Sequence, residues 1–167
     1  LAVNNDAIVV EEKGIYNIES FLNARRLMYW QVYLHKTSVS AERLLVNLIK
    51  RAQYLSHSGE KLGGSDALKL FIKHPYTLDD FKEKHHVLDA FGKLDDMDIW
   101  GAVKLWQSNR DPILQRLCTM LLHRNLFQIL FTNEPVKKSQ VEKVRSGIAK
   151  EFNLLRNDAA YMFSLGT

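Results

Sequence analysis

Apolar residues recur at helical spacing along most of this chain, most densely between residues 15 and 36, IYNIESFLNARRLMYWQVYLHK. The stretch holds no proline or glycine, with Lys13-Gly14 before it and Thr37-Ser38 after it, so it reads as about six helical turns. At about 100° per residue, Ile18, Phe21, Leu22, Tyr29 and Val32 share one face, with Arg25 among them and Lys36 at its end. Tyr16, Leu27, Trp30 and Leu34 run down the opposite side. Two apolar strips imply burial on two sides, and hence a core element of a larger body.

The rest of the chain repeats the theme in shorter pieces. Ala7-Ile8-Val9-Val10 predicts the second strand of a hairpin whose partner is residues 1–3. Residues 38–56 place Leu44, Leu45, Leu48, Ile49, Ala52 and Leu55 on one helical stripe, leaving Arg43, Lys50 and Arg51 for a solvated face. Gly63-Gly64 lacks the spacing of a phosphate-binding loop and reads as a turn. Ser65 caps a helix to residue 73, and Thr77 caps another that carries Leu78, Phe81, His85 and Leu88. Asp95, Asp96 and Asp98 form an acidic entry to a helix through Ile99, Ala102, Val103 and Trp106. Asp111-Pro112 opens a further helix in the usual order of cap and first-turn proline. Residues 125–132 and 160–165 have strand composition, and 137–152 is a charged helix. The predicted fold is therefore mainly α: a multi-helix, bundle-like body with a few short strands at the N-terminus and near the C-terminus, in one domain over residues 1–167.

Composition adds little beyond this. Apolar content of 46% and charged content of 25% are ordinary for a globular protein. The net charge of +4 is scattered, so a nucleic-acid partner is not expected. No run of 18 apolar residues predicts a membrane-spanning helix. The lone Cys118 excludes an internal disulfide framework and fits a reducing, cytoplasmic setting. The chain starts at Leu1, within a strand, so it reads as a piece of a longer protein.

Arg25 is the chemical feature of the first helix. A guanidinium among Leu22, Tyr29 and Val32 keeps its charge and requires an anion. That anion is either a carboxylate of the fold or a bound phosphate, which suits a planar bidentate donor; periodicity alone favours the carboxylate. Tyr33 lies about 80° round the helix from Arg25, close enough to help line the same cavity. Lys36 is three turns on, about 16 Å along the axis, and serves a different group. His85, His86 and Asp89 invite a metal reading. Adjacent histidines diverge by about 100°, however, and no fourth ligand is evident, so a core or rim histidine is the simpler reading.

Tyr16, Phe21, Ala24 and Arg25, followed by Val32, Tyr33, His35 and Lys36, resemble the HD-domain phosphohydrolases, most closely the deoxynucleoside triphosphate triphosphohydrolases. Lys93-Leu94-Asp95-Asp96 and Arg124-Asn125-Leu126-Phe127 continue the resemblance at similar spacing. The resemblance implies a region C-terminal to the HD catalytic core, in a protein that uses a divalent metal to hydrolyse a nucleotide or related phosphate ester. No His-Asp dipeptide occurs here, so the metal ligands are expected outside this chain, which by itself is expected to be inactive. By the same resemblance, Arg25 matches a contact to substrate phosphate and Tyr33 one to the sugar. Lys13, Asn17 and Lys36 match positions that bind an activating nucleotide, while Glu11 stands where the regulated members have arginine. A homo-oligomer, dimer or higher, is expected. The competing class is a non-catalytic helical interaction or scaffold module.

Overall fold

The structure, a computed structural model, describes residues 2–166. The chain divides into two compact units, residues 1–39 and 40–167. In the first, β1 (Ala2–Asn4) and β2 (Ala7–Val9) form an antiparallel pair with Val3 opposite Ile8. Asn5 and Asp6 join them at φ of 51° and 59°, the two left-handed residues of the hairpin turn whose twist matches the strands. The expected hairpin is thus present; Leu1, assigned to its first strand, lies outside the described residues.

A 3₁₀ turn (Glu12–Gly14) leads into α1 (Ile15–Met28), a π-turn (Tyr29–Tyr33), and then α2 (Lys36–His57). The single helix expected over 15–36 is therefore interrupted. The Leu34 amide reaches the Tyr29 carbonyl at 2.8 Å, five residues back, and α2 starts afresh beyond His35. The Thr37 amide donates to His35 Nδ1 at 3.3 Å, and Ser38 Oγ donates to the Val32 carbonyl at 2.8 Å, so the break is closed by side chains. Tyr29, Trp30, Val32 and Tyr33 are aromatic or β-branched, types that crowd the preceding helical turn. No side chain of α1 or the π-turn is buried among the described residues, so both apolar strips stand open within this stretch of chain.

The second unit holds the core. α2 carries Leu44, Leu48, Ala52 and Leu55 into it. The following helices are α3 (Asp66–Lys73), α4 (Leu78–Glu83), α5 (His85–Gly92), α6 (Asp96–Trp106), α7 (Pro112–Leu122) and α8 (Lys138–Glu151). Each expected cap is in place. Ser65 accepts from the Leu68 amide, Thr77 and Asp80 form a capping box, Asp95 and Asp98 form another, and Asp111 accepts from the Leu114 amide. The acidic cluster at 95–98 is accounted for by this capping. The stripe expected to run from Leu78 to Leu88 is broken at Lys84, which leaves the α-region at φ −111°, ψ 88°.

Two predicted strands are absent among the described residues. α7 ends in a Schellman motif: Arg124 is left-handed at φ 56°, its amide reaches the Leu121 carbonyl, and that of Asn125 reaches Met120. Beyond it the chain is irregular; Leu126 and Phe127 pack on the core, but no second strand pairs with the segment. Residues 160–165 fall partly in a 3₁₀ turn (Asp158–Met162), whose three-residue period buries Ala159 and Met162 together. The mainly helical class is as expected, and the only sheet among the described residues is the N-terminal hairpin.

Arg51 is the largest departure from the sequence reading. It is buried, not solvated: Nε and Nη2 grip Asp111 at 3.1 and 2.6 Å, and Nη1 meets Asp158 at 2.8 Å. Its guanidinium also lies 5.0 Å from the Tyr54 ring centroid and 5.1 Å from that of Tyr161. Burial pushes the Asp111 carboxyl up. The Arg51 hydrogen bond and charge and the Leu114 and Ile113 amides outweigh it, so the group is held below the usual carboxylate range. Such a carboxylate contributes stability that is whole above its unfolded pKa and is lost as pH falls through the folded value. We expect Arg51→Ala to lower unfolding free energy by about 3–5 kcal/mol, because two carboxylates lose their shared partner. Urea unfolding from pH 7 down to pH 2 should show an acid-induced loss below about pH 4 in the parent chain, and a flatter profile in the variant.

Candidate functional site

The sequence-predicted site residues all fall in the first unit. Arg25 lies in the last turn of α1 and Tyr33 at the end of the π-turn, both exposed. They are joined through a residue the sequence reading treated only as apolar. The Arg25 guanidinium carbon lies 5.8 Å from the Tyr29 ring centroid, and the Tyr29 ring is 5.1 Å from that of Tyr33, tilted by 60°. Arg25, Tyr29 and Tyr33 thus form one row at i, i+4, i+8, the spacing that signals it in the sequence. A parallel pair stands beside it in sequence, Arg26 over Trp30 at 4.7 Å. No carboxylate among the described residues forms an ion pair with Arg25, so its N–H edge is open to an external anion.

The residues matched to a regulatory site are less assembled. Lys13 Nζ lies 2.6 Å from Glu11 Oε2 in a solvent-exposed pair. Asn17 is exposed in the first turns of α1, and Lys36 is the exposed first residue of α2, beyond the break at Leu34 and His35. No hydrogen bond or ion pair among the described residues joins these three side chains.

The metal reading of His85, His86 and Asp89 finds all three exposed along α5, so of the core or rim positions expected for His85 only the rim remains. No group of three or more His, Cys, Asp or Glu among the described residues could hold a metal ion. The residues present therefore do not fit a metal centre. Cys118 is fully buried in α7, and desolvation pushes its thiol up to about 12. It is packing, not a nucleophile.

Residues 1–64 match the family model described as the HD associated region. The chain is 32% identical over 128 residues to the uncharacterized protein YwfO of Bacillus subtilis (strain 168), a span of 77% of this chain and 28% of that protein. It is also similar to a phosphohydrolase of Bacteroides thetaiotaomicron VPI-5482 with a solved crystal structure. The TM-score is 0.86 at 40% identity, covering 95% of this chain and 40% of the other. Residues 1–64 are thus similar to an HD associated region, and the chain shares its fold with part of a phosphohydrolase; it spans less than half the length of either relative. No helix among the described residues is long and apolar enough to cross a membrane.

The burial of Cys118 has a direct test. At pH 8 a thiol with a pKa near 12 is thiolate for only ~1 part in 10,000, and access is blocked as well. An aromatic disulfide reagent should label Cys118 at least about a thousandfold more slowly in native protein than in urea-unfolded protein.

Proposed function

We propose that this chain is the C-terminal portion of a metal-dependent HD phosphohydrolase acting on nucleotides, in the manner of the deoxynucleoside triphosphate triphosphohydrolases, or on a related phosphate ester. The observation that carries the reading is the exposed Arg25–Tyr29–Tyr33 row, a guanidinium braced on one ring with its hydrogen-bonding edge free. Arg25 donates to substrate phosphate oxygens and offsets the negative charge that builds there during displacement. Stacking on Tyr29 limits the rotamers of the arginine before substrate arrives. Tyr33 offers an aromatic face to the sugar. The divalent metal, with ligands outside these residues, supplies the activated hydroxide when bound. The setting is cytoplasmic.

Lys36 is the regulatory-site residue best disposed to meet a nucleotide, since it lacks a carboxylate partner among the described residues and Lys13 does not. With Glu11 beside Lys13, regulation by a nucleotide at this position departs from the pattern of the regulated members.

A second reading, a non-catalytic interaction module, is favoured by one observation. Phe21, Leu22, Leu27, Met28, Trp30 and Leu34 are each about half exposed or more, an unusual apolar density for a free surface. Such a surface is suited to be covered, and self-association into a dimer or higher oligomer would do so. Sedimentation at high micromolar concentration should give a mass above the monomer, and Phe21→Glu with Trp30→Glu should return it toward the monomer. A parent chain that stays monomeric throughout would remove the oligomer from the proposal.

The phosphate role is tested at Arg25. In the full-length protein, Arg25→Ala should weaken substrate binding by about 1.5–3 kcal/mol, roughly one to two orders of magnitude, with little change in the urea midpoint. A structural ion pair predicts the opposite: about 3–5 kcal/mol of lost stability from a stranded carboxylate, and unchanged affinity in what remains folded. That second outcome would reject the phosphate role.

A further inference from the structure

A cavity of about 440 Å³ opens in the second unit among the C-terminal end of α2, the loop that follows it, α3 and Trp106 of α6. Leu62, Leu68, Ile72 and Trp106 line it and are nearly fully buried, so together they make an apolar floor. The Trp106 Nε1–H is consumed by the Gly63 carbonyl at 2.7 Å, so the indole adds only ring surface. His57 Nε2 contacts the Lys73 carbonyl at 2.9 Å and ties the end of α2 to the end of α3, which fixes one wall.

The charged residues that line the cavity are Lys61, Lys69, Lys73 and Glu60. Three lysines against one glutamate leave a cationic lining, and the Glu60 carboxylate is already engaged by Asn109 Nδ2 at 2.8 Å. Lys69 pairs with Asp66 at 2.8 Å, but the Asp66 side chain is fully exposed, so water readily competes for that contact. Lys61 and Lys73 have no carboxylate partner among the described residues.

From this juxtaposition of buried apolar floor and lysine rim we infer that the cavity is a binding site for a compact organic anion, an aryl or short acyl group carrying a phosphate, carboxylate or sulfonate. The volume lies within the roughly 300–1,000 Å³ of small-molecule sites, which are mostly apolar with a few placed polar groups. The floor takes the hydrocarbon body and desolvates it. The flexible ammonium groups meet the charged head at the mouth, where they remain partly hydrated. No residue of the Arg25 row takes part, so the inference stands apart from the proposed phosphohydrolase role.

The probe is naphthyl phosphate, titrated into the 167-residue chain by calorimetry and by NMR of the tryptophan indole N–H signals. One site is expected, with the Trp106 signal shifting and that of Trp30 fixed. Inorganic phosphate and naphthol, each lacking half of the chemistry, should bind at least about tenfold more weakly. Lys61→Ala with Lys73→Ala should weaken naphthyl phosphate about fivefold or more, at an unchanged urea midpoint because both residues are exposed. Ser56→Phe, which fills the cavity from its wall, should abolish the Trp106 shift. The inference is overturned by a stationary Trp106 signal, by equal binding of inorganic phosphate or naphthol, or by lysine variants that bind as the parent does.

Discussion

The second unit depends on a row of buried polar side chains along one face of α2. Ser40, Asn47 and Arg51 are the buried polar residues among those described, and intervals of seven and four keep them in line on the helix. Each ties α2 to a distant part of the chain. Ser40 Oγ donates to the Phe127 carbonyl at 2.7 Å, Asn47 Nδ2 to the carbonyls of Tyr161 and Phe163 at 3.0 and 2.9 Å, and Arg51 to Asp111 and Asp158. Taking these groups from water is costly unless every bond is made. The row therefore gives register more than it gives stability: a helix displaced by one residue would strand a guanidinium and two carboxylates in the interior. Asp111 shows how closely the parts are coupled, since its Oδ1 both caps α7 and accepts from Arg51 Nε.

This coupling also explains which parts of the fold could be read from the sequence. Caps and helix starts were legible because the signals are local. Ser65, Thr77, Asp95 and Asp111 each act on an amide two or three residues away. Arg51 was not legible, because its burial depends on carboxylates 60 and 107 residues further on. By helical spacing alone it belonged with Lys50 on a wet face. The strands assigned to 125–132 and 160–165 fail for a related reason. Their composition selects an extended backbone, but a strand also needs a neighbour, and here the segments are held by side chains of α2 instead.

The candidate site shows the converse. Arg25 and Tyr33 were found from their types and spacing, and the structure links them by way of Tyr29. Their exposure here was not legible, because a two-sided apolar pattern states what a helix is suited to meet and not what it meets within a given stretch of chain. The π-turn was invisible to periodicity, since the stretch contains neither glycine nor proline. Wide turns of this kind occur often at functional sites. Here the turn carries both Tyr29 and Tyr33, and the break just beyond it separates the Arg25 row from Lys36, so the row and the first turn of α2 need not share a ligand.

Forty per cent identity over nearly the whole chain makes the shared fold secure, but a fold does not carry chemistry by itself. What bears on chemistry is the state of individual side chains. In the first unit Lys13 meets Glu11 in an exposed pair, while no carboxylate among the described residues pairs with Arg25. A fold-bearing arginine in this protein looks like Arg51: bidentate, flanked by two rings, with two carboxylates in reach and almost no contact with water. Arg25 has the ring and lacks everything else. A guanidinium braced on one side and open on the other is arranged to receive an anion, and its planar, paired donors favour phosphate or carboxylate over a single point charge.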